Sequence, residues 1–168
     1  MSRLVATLLL RISALSRLRR LKRKASRVPM NETIELSIDS NLEFVDMVGS
    51  VTKSVTGRMG FDEDDASWIE LAVHEAVINA ITHGNKQAAD KQVDVRFIVE
   101  HECLTVYVRD YGAGFDPSRL PDPTNEDNLL NPNGRGIFYM RTFMDEVEHS
   151  IHPEGGSLVR LTKHMRSS

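Results

Sequence analysis

The stretch that decides the fold is FDEDDASWIELAVHEAVINAITHGN, residues 61–85. It opens with acidic residues, which favour the positive N-terminal end of a helix dipole. Apolar residues then recur at helical spacing, and this periodicity predicts one long, buried helix. The apolar positions are Ile69, Ala72, Val73, Ala76, Val77, Ala80 and Ile81.

A row of polar side chains interrupts this apolar helix. Glu75 and Asn79 are four positions apart, so they lie on the same face one turn apart, and His83 continues the row. A solvated face explains such a row, and for a helical Glu and Asn taken alone it is the better explanation. A functional interpretation needs support from elsewhere in the chain.

Two glycine turns supply that support. In DYGAG, residues 110–114, glycines at the end of a predicted strand permit positive φ and let a ligand approach the backbone. In NGRGI, residues 133–137, a glycine turn opens a predicted helix, whose free N–H groups and dipole favour an anion such as phosphate. Each turn alone is also explained as an ordinary turn, the second one capped by Asn133. There is no GxxxxGK[ST] motif, so a phosphate site here would not be a P-loop.

The flanking segments predict the other elements. They are a strand from Glu32 to Ile38, a helix capped by Asp39 or Ser40 and closed by Gly57 with Gly60, a hairpin over 93–108, a long loop over 117–133, a helix over 136–143, and strands over 146–152 and 157–163. This order predicts an α+β fold, a two-layer α/β sandwich with helices on one face of a mixed, mostly antiparallel sheet.

Charge is divided sharply along the 168 residues. Residues 1–28 carry nine Lys or Arg and no acid, whereas the rest carries 12 basic and 24 acidic residues. An acidic body argues against direct nucleic-acid binding and favours a basic protein partner. The single cysteine, Cys103, excludes an internal disulfide framework and is compatible with a reducing cytoplasm.

The basic segment has three interpretations: an amphipathic helix on an anionic membrane, a docking arm, or a dispensable extension. Its apolar patch falls well short of the ~20 residues that a membrane span requires. We expect an extension without fixed structure over 1–29, weakly attracted to anionic lipid at most, and one domain over 30–168.

The motifs HEAVINAITHGN, DYGAG and NGRGIFYMRTFMDEV resemble those of the GHKL (histidine kinase-like, or Bergerat) ATPase superfamily. The match is closest to bacterial anti-sigma factors of the RsbW and SpoIIAB type, which are serine/threonine protein kinases. It extends from about Glu32 to His164. The resemblance implies binding of ATP with Mg²⁺ in a two-layer sandwich.

The resemblance also implies roles for matching residues. Glu75 is similar to the general base, and Asn79 is similar to the Asn that helps to hold Mg²⁺ between the ATP phosphates. Asp110 matches the residue that binds the adenine amino group. The remaining matches are Gly112 and Gly114 at the adenine pocket, Gly134, Arg135 and Gly136 at the phosphates, His83 as a lesser phosphate or supporting contact, and 117–133 as a lid.

The implied function is that of an ATP-dependent anti-sigma factor kinase in a partner-switching module. Its expected partners are a sigma factor and a STAS-type anti-sigma factor antagonist that carries the target serine, and the resemblance suggests a homodimer. Two alternatives remain open: a non-catalytic ATP-binding regulator, for which Glu75 has no use, and the detached catalytic domain of a histidine kinase.

Overall fold

The computed structural model describes residues 31–114 and 132–166, except for the side chains of residues 132–135. Five strands and three helices follow one another along these two ranges. They are β1 (Glu32–Asp39), α1 (Val45–Met59), α2 (Glu63–Asn79), β2 (Gln92–Val99), β3 (Cys103–Arg109), α3 (Pro132–Phe143), β4 (Glu146–Ile151) and β5 (Ser157–His164). No helix among the described residues is long and apolar enough to cross a membrane. The predicted extension, residues 1–29, lies outside these ranges.

The strands form one sheet in the order β1-β2-β3-β5-β4. All four pairings between the described strands are antiparallel, so this sheet has no parallel member, although a mixed sheet was expected. Antiparallel neighbours follow directly from the two hairpins, β2-β3 and β4-β5, since a hairpin can only join antiparallel strands. The crossover through α3 brings β5 beside β3.

The strands bury one face, as their alternating sequence predicts. Phe97 lies opposite Ile34 on one side and Val106 on the other, and Val106 in turn lies opposite Leu161. Their buried face packs with the helices into one core. The other face carries charged pairs such as Arg96 with Glu35, whose closest atoms are 2.6 Å apart. This division confirms the predicted two-layer arrangement.

The ends of α1 differ from the prediction. Asn41, rather than Asp39 or Ser40, caps the segment, because its Oδ1 accepts the Glu43 N–H at 3.1 Å and starts a short 3₁₀ turn (Leu42–Phe44) before the helix. Gly57 lies inside the helix. Gly60 ends it alone, with φ of +87°, a conformation that favours glycine at the C-terminal end of a helix.

The predicted central helix is α2, and all seven of its periodic apolar residues are buried. Asp62 caps it, with Oδ1 accepting the Asp65 N–H at 2.7 Å. After Asn79 the helix widens into a π-helical turn, Ala80–Gly84. Such turns are rare and occur frequently at functional sites.

The helix α3 begins at Pro132, four residues before the predicted start. Proline is favoured at the first helical position, because its missing N–H would have no partner there and its φ suits a helix. The predicted loop over 117–133 therefore ends inside α3, and its residues 117–131 lie outside the described residues.

A buried cation joins α3 to the rest of the fold. Lys163 of β5 is 3% exposed, and its Nζ lies 3.2 Å from Asp65 Oδ1 and 2.8 Å from the carbonyl oxygen of Phe143. Asp65 is at the start of α2 and Phe143 is the last residue of α3. The Phe143 ring also stacks on Trp68 of α2, with centroids 3.7 Å apart. Together these contacts fix one end of the α2-α3 pair.

Candidate functional site

Glu75 lies at the junction of α2 and α3. Its side chain is 26% exposed, and it meets the backbone of Gly136 so closely that a Cβ built on Gly136 would lie 2.5 Å from Glu75 Oε2. The carboxylate therefore occupies space that only glycine leaves free. Asn79, one turn further along α2, is half-buried. The structure thus brings the helical row and the second glycine turn together.

The turn that contains Gly134 and Arg135 is the first turn of α3 rather than a loop before it. The first N–H groups of a helix have no partner within the helix, and the dipole makes this end positive. An anion can therefore bind here. The Arg135 side chain is outside the described part of the chain, so its predicted phosphate contact stays a prediction.

His83 is separated from the row by the π-helical turn. A turn with i to i+5 hydrogen bonds holds more residues than an α-helical turn, so spacing by four no longer keeps His83 in line with Asn79. The imidazole is exposed. A role for His83 at the phosphates remains a prediction.

Asp110 is held firmly at the end of β3. The residue is 5% exposed, and its Oδ1 accepts the N–H groups of Gly112 at 2.8 Å and Ser157 at 3.1 Å. Among the described residues no hydrogen bond involves the other oxygen, Oδ2. A fixed carboxylate with one unused acceptor is suited to an amine donor such as the adenine amino group.

Three glycines bring backbone against the Asp110 turn. A Cβ on Gly84 would clash with the Asp110 carboxylate, one on Gly112 with the carbonyl of Gly84, and one on Gly156 with the carbonyl of Asp110. Gly114 adopts φ of +84°, which explains the second glycine of DYGAG. The pocket wall is therefore built from backbone of the π-helical turn, of the turn after β3 and of the β4-β5 hairpin.

Sequence reasoning missed four residues that shape this pocket: Gly84, Asn85, Gly156 and Ser157. Asn85 Oδ1 accepts the Tyr111 N–H at 2.8 Å across 26 residues of sequence, and Ser157 is separated from Asp110 by 47. The available signals were weak, namely the Asn after Gly84 at a helix end and the Gly-Gly pair before β5. Both are also typical of ordinary turns.

Tyr111 is held on the opposite side of the sheet. Its hydroxyl donates to Asp94, and the guanidinium of Arg109 lies 4.4 Å from the ring centroid. The hydrogen bond to Asp94, and secondly burial, raise the pKa of the Tyr111 phenol above its ordinary value. The residue next to Asp110 is thus anchored through both its backbone and its side chain.

These residues fit ATP with Mg²⁺ chemically. The unused Asp110 oxygen suits the adenine amine, and the first turn of α3 suits phosphate. The described residues contain no group of three or more His, Cys, Asp or Glu able to hold a metal ion. A single protein ligand, such as the oxygen predicted from Asn79, would be sufficient, because Mg²⁺ in nucleotide sites takes most of its ligands from phosphates and water.

Known proteins resemble this chain over most of its length. The histidine kinase-like ATPase domain family matches residues 38–163. The serine-protein kinase RsbW of Bacillus velezensis is 33% identical over 138 residues, which cover 79% of this chain and 85% of the relative. RsbW of Bacillus subtilis is 31% identical with the same coverage.

Two solved structures share the fold. One contains the RsbU and RsbW domains of Rv1364c from Mycobacterium tuberculosis, with a TM-score of 0.59 and 19% identity over 82% of this chain, which spans only 34% of that chain. The other is the SiaB-SiaC complex from Pseudomonas aeruginosa, with a TM-score of 0.59 and 11% identity over 90% of this chain and 99% of that one. At these identities the two structures support the architecture alone.

Proposed function

The chain belongs to the histidine kinase-like ATPase domain family, and from this premise we propose that it is an ATP-dependent serine/threonine protein kinase acting as an anti-sigma factor. Its substrate is a serine of a STAS-type anti-sigma factor antagonist. The observation that carries the proposal is the placement of the Glu75 carboxylate against Gly136, just after the first turn of α3. Relatives named serine-protein kinase support the reaction class.

The residues divide into a nucleotide-binding group and a reacting group. Asp110 accepts the adenine amine through Oδ2, with Gly112 and Gly114 shaping the pocket. Asn79 holds Mg²⁺, and the backbone of 134–136 faces the phosphates. When bound, ATP supplies the phosphoryl group and Mg²⁺ neutralises charge on the phosphates.

Glu75 acts as the general base. Its carboxylate accepts the proton of the incoming serine hydroxyl while the hydroxyl oxygen forms its bond to phosphorus. Partial burial and contact with Gly136 keep the carboxylate in one place. Positioning of this kind matters because there is little other covalent chemistry for a kinase to perform.

The finer parts of the proposal concern partners. The kinase binds a sigma factor and releases it when the antagonist binds. It works as a homodimer in the cytoplasm. Residues 1–28 attract anionic lipid weakly. Supporting features are the acidic body and the basic first segment. Pull-down from native cells with and without ATP tests the partner switch, and capture of neither partner under both conditions contradicts it.

Transfer of label from γ-labelled ATP to the purified antagonist tests the function itself. We expect acid-stable label on the antagonist, and none when its target serine is replaced by alanine. ATP binding without any transfer would instead identify a non-catalytic regulator. Acid-labile label would identify phosphohistidine and the catalytic part of a histidine kinase.

A further inference from the structure

Asn85, which follows the π-helical turn, uses all of its polar groups. The residue is 1% exposed. Its backbone N–H donates to the Ala80 carbonyl at 2.8 Å and its backbone carbonyl accepts from the Ala88 N–H at 3.2 Å. Its side-chain Nδ2 donates to the Gln92 carbonyl at 2.7 Å, and its Oδ1 accepts the Tyr111 N–H at 2.8 Å. A buried amide with this set of partners has one orientation.

The backbone beyond Asn85 is also constrained. Lys86 and Gln87 have φ of 55° and 56°. Residues other than glycine rarely adopt this left-handed region, and they persist there only when the surrounding structure holds them. The strained pair shows that the chain is forced around a tight reversal immediately after Asn85, so Asn85 has little freedom to shift.

Asn85 supplies the acceptor for one of the three hydrogen bonds that the backbone N–H groups of the Asp110 turn donate, and the Ser157 N–H holds the Asp110 carboxylate from the other side. The Asp110 N–H donates to the Ser157 carbonyl at 3.0 Å, the Tyr111 N–H to Asn85 Oδ1 at 2.8 Å, and the Gly112 N–H to Asp110 Oδ1 at 2.8 Å. The first acceptor is backbone and the third belongs to the turn itself. Within residues 31–114 and 132–166, Asn85 is thus the one side chain that reaches this turn's N–H groups from another element.

The residue before Asn85 completes the contact. Gly84 lies so close to the Asp110 carboxylate, and its carbonyl so close to Gly112, that a Cβ on either glycine would clash. The end of the π-helical turn and the turn after β3 therefore meet through Gly84 and Asn85. A displacement of the Asn85 side chain would move the carboxylate and its wall together.

We propose that Asn85 is a positioning residue for nucleobase selection: by fixing the Asp110 turn it makes Asp110 Oδ2 a rigid acceptor that favours adenine over guanine. This inference rests on the proposed ATP site. Adenine presents an amino group where guanine presents a carbonyl oxygen, which a carboxylate repels. A site rejects the wrong base strongly only when the protein group that faces it cannot move away from the unpaired or repelling contact.

The test measures dissociation constants for ATP and for GTP in three proteins: wild type, Asn85→Leu and Asn85→Asp. Leucine has a similar size but leaves the Tyr111 N–H without its acceptor. Both variants lose the donor to Gln92, and only leucine also leaves the Tyr111 N–H unpaired. We expect Asn85→Leu to weaken ATP binding by about tenfold, the usual effect of an unpaired buried N–H, while GTP binding changes less, so that the ratio of the GTP to the ATP dissociation constant becomes smaller. Aspartate keeps an acceptor for Tyr111 but places a second oxygen against the Gln92 carbonyl, so this variant should lose stability while the ratio largely survives.

Thermal unfolding of each variant separates positioning from a general structural role. Asp62→Ala serves as a control, since it removes another side-chain acceptor of a backbone N–H, at the opposite end of α2 from Asn79. The inference is overturned if a folded Asn85→Leu protein keeps the wild-type ratio of the GTP and ATP dissociation constants. It is also overturned if this ratio falls equally in both Asn85 variants, in proportion to the stability that each has lost. Should Asn85→Leu fail to fold, loss of the ratio in folded Asn85→Asp decides against the inference and its retention supports it. A wild-type protein that binds no ATP overturns the proposed function as well.

Discussion

At the scale of single residues, the site depends on glycines that let backbone touch a carboxylate. Gly136 does this at Glu75 and Gly84 does it at Asp110. The sequence identified the glycines that form local motifs, Gly112, Gly114 and Gly136. It did not identify Gly84, Gly156 or Asn85 as parts of the pocket, because their contacts join segments that are distant along the chain and leave no local pattern.

Substitution Gly136→Ala tests the contact with Glu75. Its Cβ would lie 2.5 Å from Oε2, the far end of a flexible side chain, so the carboxylate should rotate away while the fold survives. We expect phosphate transfer to fall by at least about tenfold, because a displaced base loses part of the ~10²–10⁴ that general-base catalysis contributes. Rates of transfer and thermal unfolding curves measure the two effects.

Gly57→Ala is the matched control for this substitution. Gly57 lies inside α1, and a Cβ there would meet nothing within 4 Å. We expect this variant to gain about 0.5–1 kcal/mol in free energy of unfolding, from better helix propensity, with unchanged transfer. An equal loss of transfer in both variants, or none in Gly136→Ala, would contradict the contact's importance.

At the scale of elements, α2 and α3 pack antiparallel. Trp68 contacts Phe143 at one end of the pair, and Glu75 contacts Gly136 at the other. Periodicity predicted the helices and strands because each buries one face. It missed the early start of α3, where 132–135 have no apolar period, and the π-helical turn, whose apolar residues fit an ordinary α-helix equally well.

Lys163 stabilises the α2-α3 pair through its buried contacts with Asp65 and the Phe143 carbonyl. We expect Lys163→Met to lower the free energy of unfolding by about 3–5 kcal/mol, because it leaves a buried carboxylate without its main partner. Chemical denaturation measures this loss. Replacing Asp65 by Asn as well should recover part of it, since no buried charge then remains.

Arg58→Met provides the comparison for a surface pair. Arg58 and Glu32 are 3.0 Å apart, but their side chains are 54% and 43% exposed. Such pairs contribute about 0–1 kcal/mol, so this variant should be close to wild type. If both variants lost the same small amount, the Lys163 contacts would not be important for stability.

At the scale of the whole molecule, stability should depend on the protonation of His149. Burial, and secondly the charge of Arg141, lower the pKa of His149 below its ordinary value, and its Nε2 has no hydrogen-bond partner in the part of the chain that the structure describes. The unfolded chain therefore takes up this proton at a higher pH than the folded one. Above about pH 6.5, the ordinary pKa of histidine, both states are neutral at this residue and it costs no stability. Below that pH the free energy of unfolding falls, because the unfolded chain binds the proton more readily.

Replacing His149 by Asn removes the pH-dependent contribution of this residue to the free energy of unfolding. Urea unfolding at several pH values between 5 and 8 should show a shallower loss of free energy of unfolding toward acid in the variant than in wild type. Carboxylates contribute to both curves, so the difference between them isolates His149. Parallel curves would show that the imidazole does not titrate abnormally.

The whole molecule also decides how far sequence alone could lead. The motif residues, through their resemblance to a known family, predicted ATP binding and a kinase; the family match agrees with the first and the relatives named serine-protein kinase agree with the second. The residues that hold the site in shape, such as Asn85 and Lys163, were invisible because a buried amide or ammonium looks like any polar residue until its partners are known. Nothing in the described residues bears on the basic segment 1–28.

The most direct test of the central claim compares phosphate transfer by wild type and Glu75→Gln. Glutamine keeps the volume and can donate or accept hydrogen bonds, but it is not a base. We expect ATP affinity to stay within about threefold, while transfer to the antagonist serine falls by about 10²–10⁴. Transfer at the wild-type rate by Glu75→Gln would contradict the account, because Glu75 would then not accept the serine proton.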